Sequence, residues 1–199
     1  MKLRIPTLEQ LRDFYNIHMK AAFPPAELKP LAAIEKMWQE GWYKPYCLYD
    51  DGGVELFGGA FLWLGHPGWG LLDYLCVCAE RRNDGLGAEM LRLLPEAEPG
   101  MVIFGEAEVP VHAPDPAMAE RRLGFYKRCG LQTAGYDTEI FGVHYKTLYI
   151  AAEKVADEAL MAEHQFVYQN SFTPEKYQRF IRIPCDPGAA PGRQVAWDQ

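Results

Sequence analysis

The stretch Leu71–Ala88, LLDYLCVCAERRNDGLGA, limits what this chain can fold into more than any other. Leu71, Leu72, Tyr74, Leu75, Cys76 and Val77 form an apolar run of strand length, broken only by Asp73. Arg81, Arg82 and Asn83 follow, then Gly85-Leu86-Gly87. Leu86, Met90, Leu93 and Leu94 fall at the i, i+4, i+7, i+8 spacing of one helix face. Pro95 is expected to close that helix, because it has no N–H and disfavours helical geometry just before it. A strand, a glycine loop and a helix N-terminus in succession make an anion site. The helix start has unpaired N–H groups and the positive end of the macrodipole. Glycines allow a phosphate to approach the backbone with no Cβ in the way.

Three phosphate-binding patterns can be compared with this stretch. A dinucleotide fingerprint needs a third glycine, where this chain has Met90. A P-loop needs Gly-Lys-Ser/Thr, and the chain has none. Arg82-x-x-Gly85-x-Gly87 after a strand ending in Leu-x-Val fits better. It resembles the acetyl-CoA pyrophosphate loop of the GNAT superfamily, the Gcn-related N-acetyltransferases. Three further strings are similar to a bacterial GNAT group. They are Leu72-Asp73-Tyr74-Leu75-Cys76-Val77, Glu106-Ala107-Glu108-Val109-Pro110, and Arg122 to Leu131 (RLGFYKRCGL).

The rest of the chain is consistent with such a fold. Thr7-x-x-Gln10 is a capping-box pattern opening a helix to about Ala22, and a second helix is expected from about Pro30 to Glu40. Strands are expected at Tyr43–Tyr49 and Val54–Leu64, around the hairpin signal Asp50-Asp51-Gly52-Gly53, and again at Met101–Glu108. Asp115 and Pro116 start a helix to Cys129, with Met118, Arg122, Phe125, Tyr126 and Cys129 inward. Leu131–Glu139 and Val143–Ile150 form a strand pair, and Ala151–Asn170 reads as helical, with a short helix from Thr173 to about Ile181. The first strand can only be Lys2–Ile5. This order resembles the GNAT fold, an α/β (α+β) architecture with a mixed, splayed central sheet flanked by helices. The resemblance covers a domain over 1–151; beyond it the patterns give a C-terminal helical extension over 152–183, and a composition rich in Pro, Gly and Ala gives a mobile tail over 184–199.

Composition narrows the partners. The net charge is −7 with no long basic block, which argues against nucleic acid, since neutralising phosphates takes clustered Lys and Arg. No run reaches the roughly 18–20 apolar residues of a membrane span, and the N-terminus lacks the apolar core of a signal peptide. The five cysteines are an odd number in mostly apolar surroundings, which points to free thiols and a cytoplasmic setting. Cys76-x-Cys78 has no matching ligand pair downstream, so no metal is expected.

The resemblance also assigns roles. Leu75, Cys76 and Val77 would line the pantetheine of acetyl-CoA. Arg82, Asn83, Asp84, Gly85, Leu86, Gly87 and Ala88 would hold its pyrophosphate. Asp84 departs from the family pattern, and a carboxylate beside a pyrophosphate is unfavourable. Acyl transfer to an amine needs a base, an oxyanion donor and an acid for the leaving thiolate. Tyr126 matches the family's thiolate-protonating tyrosine, and the backbone N–H of Val77 or Cys78 its oxyanion donor. Three carboxylates on apolar strands are candidates for the base: Asp73, Glu106 and Glu108, the last two sharing a face. A structural ion pair with Arg122 is the competing role for Glu106 or Glu108. The acceptor implied is a small-molecule or peptide amine, and a homodimer is compatible. The alternative is a non-catalytic acyl-CoA-binding regulatory module of the same fold.

Overall fold

The computed structural model describes residues 1–196, in two compact units. The first comprises Met1–Leu64 and Leu72–Pro99. Its strands are β1 (Lys2–Arg4), β2 (Tyr43–Tyr49), β3 (Leu56–Leu64) and the Leu72–Val77 part of β4 (Trp69–Val77), in that order across the sheet. β2 and β3 are antiparallel, Tyr43 facing Trp63 and Cys47 facing Gly59. The hairpin between them closes on Asp50, whose carboxylate accepts from the N–H groups of Val54 (2.7 Å) and Glu55 (2.9 Å). That local bond is why an Asp-Asp-Gly-Gly stretch turns here.

Helix α1 (Leu8–Phe14) opens on the expected capping box. Thr7 Oγ1 accepts from the Gln10 N–H, and Gln10 Oε1 accepts from the Thr7 N–H. The helix continues through a π-helical segment, Tyr15–Met19, into α2 (Lys20–Ala22). Its buried face is Leu11, Phe14, Tyr15 and Met19. Phe14 lies against β3 because position 59 is glycine: a Cβ there would stand 2.8 Å from the Phe14 ring. Helix α3 (Leu31–Gln39) buries Ile34, and α4 (Leu86–Ala97) buries Leu86, Met90, Leu91 and Leu94. Pro95 does not close α4 as expected; it sits inside the last turn, and the helix ends two residues later. Near a helix end there is little ladder left for a proline to break.

The second unit comprises Gly65–Leu71 and Gly100–Val195. β5 (Val102–Glu108), β6 (Gln132–Ile140), β7 (Val143–Ile150) and β8 (Ile181–Cys185) lie in the order β5-β7-β6-β8, every neighbouring pair antiparallel. Helix α5 (Pro116–Arg128) starts as read, with Asp115 Oδ1 accepting from the Met118 N–H at 3.0 Å. Its packing differs from the reading: Ala119 is its buried residue, while Met118 and Arg122 are exposed and Phe125, Tyr126 and Cys129 half-buried.

Helices α6 (Asp157–Gln169) and α7 (Pro174–Phe180) occupy the stretch expected to be helical, but residues 151–156 are not helix. The stretch also ends in a strand. Ile181 pairs with Ile140 and Arg182 with Glu139, so β8 extends the sheet. Helix α6 buries Leu160, Glu163, His164, Val167 and Tyr168. Glu163 fastens it to the 65–71 segment: its Oε1 accepts from the His66 N–H at 2.6 Å, and the His66 ring stacks on Phe166. Of the stretch 184–199, Pro184 and Cys185 belong to β8, and the Val195 N–H donates to the Phe141 carbonyl at 3.1 Å. Residues 197–199 lie outside the described residues. No helix among the described residues is long and apolar enough to cross a membrane.

Candidate active site

The glycine loop has the backbone an anion site needs. After β4 the chain makes a short 3-10 turn at Ala79–Arg81; then Asn83 (φ 72°) and Gly85 (φ 78°) both take left-handed conformations. Asparagine and glycine are the residues that adopt this region at low cost. Gly85 is the N-cap of α4 and offers no side-chain cap, so the N–H groups of Leu86, Gly87 and Ala88 have no partner within the helix. A Cβ built on Gly85 would meet nothing within 4 Å, so the glycine serves the backbone angle and not a close approach.

Asp84 does not stand uncompensated in this loop. Its Oδ2 lies 3.9 Å from Arg81 Nη1. Arg81 is in turn fixed, bonding Glu55 at 2.7 Å with its guanidinium over the Phe57 ring. Arg82 is exposed, the arginine of the two better placed for a bound anion. On β4, Asp73, Leu75 and Val77 share the half-buried face, with Leu72, Tyr74 and Cys76 on the buried one. The Cys78 N–H already bonds the Phe57 carbonyl at 2.9 Å. Successive strand N–H groups point to opposite edges, so Val77 is left as the donor directed away from β3.

Each of the three candidate carboxylates has partners, of different kinds. Both oxygens of Asp73 bond the ammonium of Lys29, at 2.6 and 2.8 Å, and Oδ2 also accepts from the Tyr43 hydroxyl. Lys29 is 1% exposed, and its Nζ lies 4.4 Å from the Trp63 ring centre. Glu108 pairs with Arg122 at 2.6 Å. Glu106 is held without a permanent cation: its Oε1 lies 2.9 Å from His164 Nε2, and its Oε2 accepts from the Tyr168 hydroxyl at 2.9 Å. The Thr138 hydroxyl is 3.5 Å from Oε1. Asp73 and Glu108 thus each have a cation against them, while the Glu106 carboxylate is held by imidazole and hydroxyl groups. The sequence reading named Glu106, Glu108 and Asp73 but missed Lys29, His164 and Tyr168. The one local signal was that His164 and Tyr168 interrupt the apolar face of Leu160 and Val167 four residues apart.

Tyr126 is half-buried on α5, one turn after Arg122. Burial pushes its phenol up, with the Arg122 charge opposing, so it is a protonated donor at neutral pH. All five cysteines are free. Burial raises the Cys76 thiol to about 11 and Cys78 to about 12, as expected of core thiols. One group of donors among the described residues is close enough to share a cation: His18, Cys78 and Glu80, mutually within 4.8 Å. Cys78 is protonated there, its Sγ 3.5 Å from the Leu56 carbonyl.

No family model matches the sequence, and no curated protein matches it. Solved structures do. A protein from Bacteroides thetaiotaomicron described as a GNAT-family acetyltransferase superposes with a TM-score of 0.67 at 20% identity, covering 83% of this chain and 95% of that one. The ribosomal-protein-S18-alanine N-acetyltransferase of Escherichia coli gives 0.57 at 15% identity, over 78% and 96%. The spermidine N-acetyltransferase of Vibrio cholerae, in complex with CoA and spermine, gives 0.55 at 15% identity, over 75% and 94%. At these identities the likeness is one of architecture, and it covers nearly the whole of each neighbour: this chain has the GNAT fold of the N-acetyltransferases.

Proposed function

We propose that the chain is an acetyl-CoA-dependent N-acetyltransferase acting on a primary amine by direct attack in a ternary complex. The observation that carries this reading is the junction after β4, where left-handed Asn83 and Gly85 lead into α4 and no side chain caps its first N–H groups. Those donors suit a pyrophosphate, and the ion pair of Asp84 with Arg81 offsets the one adverse charge. The neighbours support it: one is solved with CoA and spermine, and the two named enzymes are N-acetyltransferases of spermidine and of a ribosomal-protein alanine.

The residues divide the chemistry as follows. Leu75, Cys76 and Val77 present strand backbone to the pantetheine amides. Arg82 and the loop from Asn83 to Ala88 bind the pyrophosphate. The Val77 N–H stabilises the oxyanion as the amine nitrogen attacks the thioester carbonyl. Glu106 accepts the proton that the amine loses. Tyr126 gives its hydroxyl proton to the sulfur as the C–S bond breaks, leaving the N-acetylated amine and free thiol, and the proton taken by Glu106 returns to the Tyr126 phenolate through solvent. Asp73 and Glu108 are structural in this reading, each neutralising a cation.

The decisive experiment is an amine panel, including spermidine and a peptide with N-terminal alanine, followed by free-thiol release. If no amine on the panel raises thiol release above the hydrolytic background, the reading fails. Two further outcomes are expected. Acetyl-CoA at a hundredfold excess over its dissociation constant should stabilise the fold by about 2.7 kcal/mol, read as a shift in Tm, and Gly87→Asp should remove that shift. Tyr126→Phe should fold and bind acetyl-CoA as the wild type does, yet turn over at least about tenfold more slowly, since general acids contribute roughly 10²–10⁴-fold. Full turnover in that variant, with chemistry rate-limiting, would make Tyr126 a packing residue.

A further inference from the structure

We infer that His164 of α6 is a positioning residue for Glu106, and that the stretch beyond residue 151 therefore completes the catalytic apparatus. The inference rests on the reading of Glu106 as the base. His164 has no exposed surface, and its ring packs edge-on against Phe104 at 5.1 Å. Its two nitrogens have different partners. Nε2 is 2.9 Å from Glu106 Oε1, and Nδ1 is 3.3 Å from the Tyr136 hydroxyl. A carboxylate can only accept, so Nε2 carries a proton and donates it. The Tyr136 hydroxyl, which can donate or accept, pairs with Nδ1, so Glu106 is the partner that selects the tautomer.

Four residues one way along α6, Tyr168 donates to Glu106 Oε2. Residues four apart stand above one another on a helix, so a single helix face grips both carboxylate oxygens. Thr147 faces Glu106 across the β5–β7 pair, and the Thr138 hydroxyl of β6 approaches Oε1 at 3.5 Å. Each carboxylate oxygen has two lone-pair directions, so with His164 and Thr138 on Oε1 and Tyr168 on Oε2, one direction on Oε2 is left for the proton of an amine. The donors orient the carboxylate plane without a fixed positive charge, which is the difference from Asp73 and Glu108.

The test uses the full chain with His164→Leu and His164→Gln, each alone and with Glu106→Gln. His164→Leu is expected to lower kcat at least about tenfold, with KM for acetyl-CoA and its thermal shift unchanged, the split of a group acting in the transition state. His164→Gln, whose amide N–H can reach the same oxygen, should recover to within about threefold of wild type. In the Glu106→Gln background, His164→Leu should cost less than about twofold, because the two residues act as one unit. Equal loss in both backgrounds, equal impairment of the two His164 variants, or wild-type kcat in His164→Leu overturns the inference. Nitrogen-15 imidazole shifts give a readout without turnover. An Nε2–H tautomer whose shifts change on Glu106→Gln is expected, and an Nδ1–H tautomer overturns the inference. A wild-type protein that acetylates no amine yet shows those shifts would defeat the proposed activity and not the His164–Glu106 pairing. If His164→Leu fails to fold, His164→Gln and the shifts decide.

Discussion

Glu106→Gln is expected to lower kcat by about 10²–10⁴-fold, the usual contribution of a positioned general base. Glutamine keeps the size of the side chain and removes its basicity. The fold should survive. The amide oxygen can accept from His164 Nε2, and the amide nitrogen can donate to the Tyr168 oxygen, so the bonds that hold α6 at Glu106 have substitutes. Acetyl-CoA affinity should also survive, because the glycine loop and α4 take no part in the Glu106 cluster. Loss of kcat with an unchanged KM for acetyl-CoA marks an interaction realised only in the transition state. Glu108→Gln is the control. Its partner Arg122 is 54% exposed, and an exposed pair of this kind contributes about 0–1 kcal/mol, so only a small change in stability is expected. Near-wild-type turnover in Glu106→Gln would move the base away from this cluster.

The assignment of different roles to Glu106 and Glu108 shows what local patterns carry. Both stand out as carboxylates on an apolar strand with the same parity, and an ion pair with Arg122 is foreseeable for one of them. Which one depends on α6, whose His164 lies 58 residues from Glu106 in the chain. Features with local causes are legible. The Thr7/Gln10 capping box, the Asp115 cap with Pro116 after it, and the Asp50 hairpin each depend on side chains within five residues of one another. Strand β2 shows at its full length because its composition and turn are both local. Strand β8 does not, since Ile181–Cys185 is a strand by virtue of pairing with β6, some 40 residues earlier. The glycine loop was readable because backbone angles select residue types directly, at Asn83 and Gly85. Lys29 was silent. A single lysine before a helix reads as a surface residue, and only the fold brings it to Asp73, 44 positions away.

Asp73→Ala is expected to destabilise the protein by up to about 3–5 kcal/mol, the range for removing one partner of a buried ion pair. Lys29 cannot easily withdraw to solvent. Its N–H donates to the Tyr74 hydroxyl at 2.8 Å, and its carbonyl accepts from the Tyr15 hydroxyl at 2.9 Å. With the backbone fixed on both sides, the side chain runs inward to Asp73, with Trp63 and Tyr74 rings 4.4 and 5.3 Å from its Nζ. These rings attract the cation, but such contacts contribute only about 0.5–2 kcal/mol each and do not replace a carboxylate. Asp73→Asn keeps the shape and one acceptor, so it should cost less than Asp73→Ala. Removing both charges with Lys29→Met and Asp73→Leu should recover much of the loss, because the desolvation of two ions disappears along with their attraction. Urea denaturation of the wild type, Lys29→Met, Asp73→Leu and the double variant gives the coupling energy directly. The same variants test the catalytic alternative. If Asp73→Asn loses less than about 1 kcal/mol of stability, keeps its acetyl-CoA shift and loses turnover by about 10²-fold or more, Asp73 is the base and Glu106 an anchor for α6. If the stability loss dominates and the remaining folded fraction turns over normally, the buried Lys29–Asp73 pair is a structural element of the first unit, placed where β4 approaches the glycine loop.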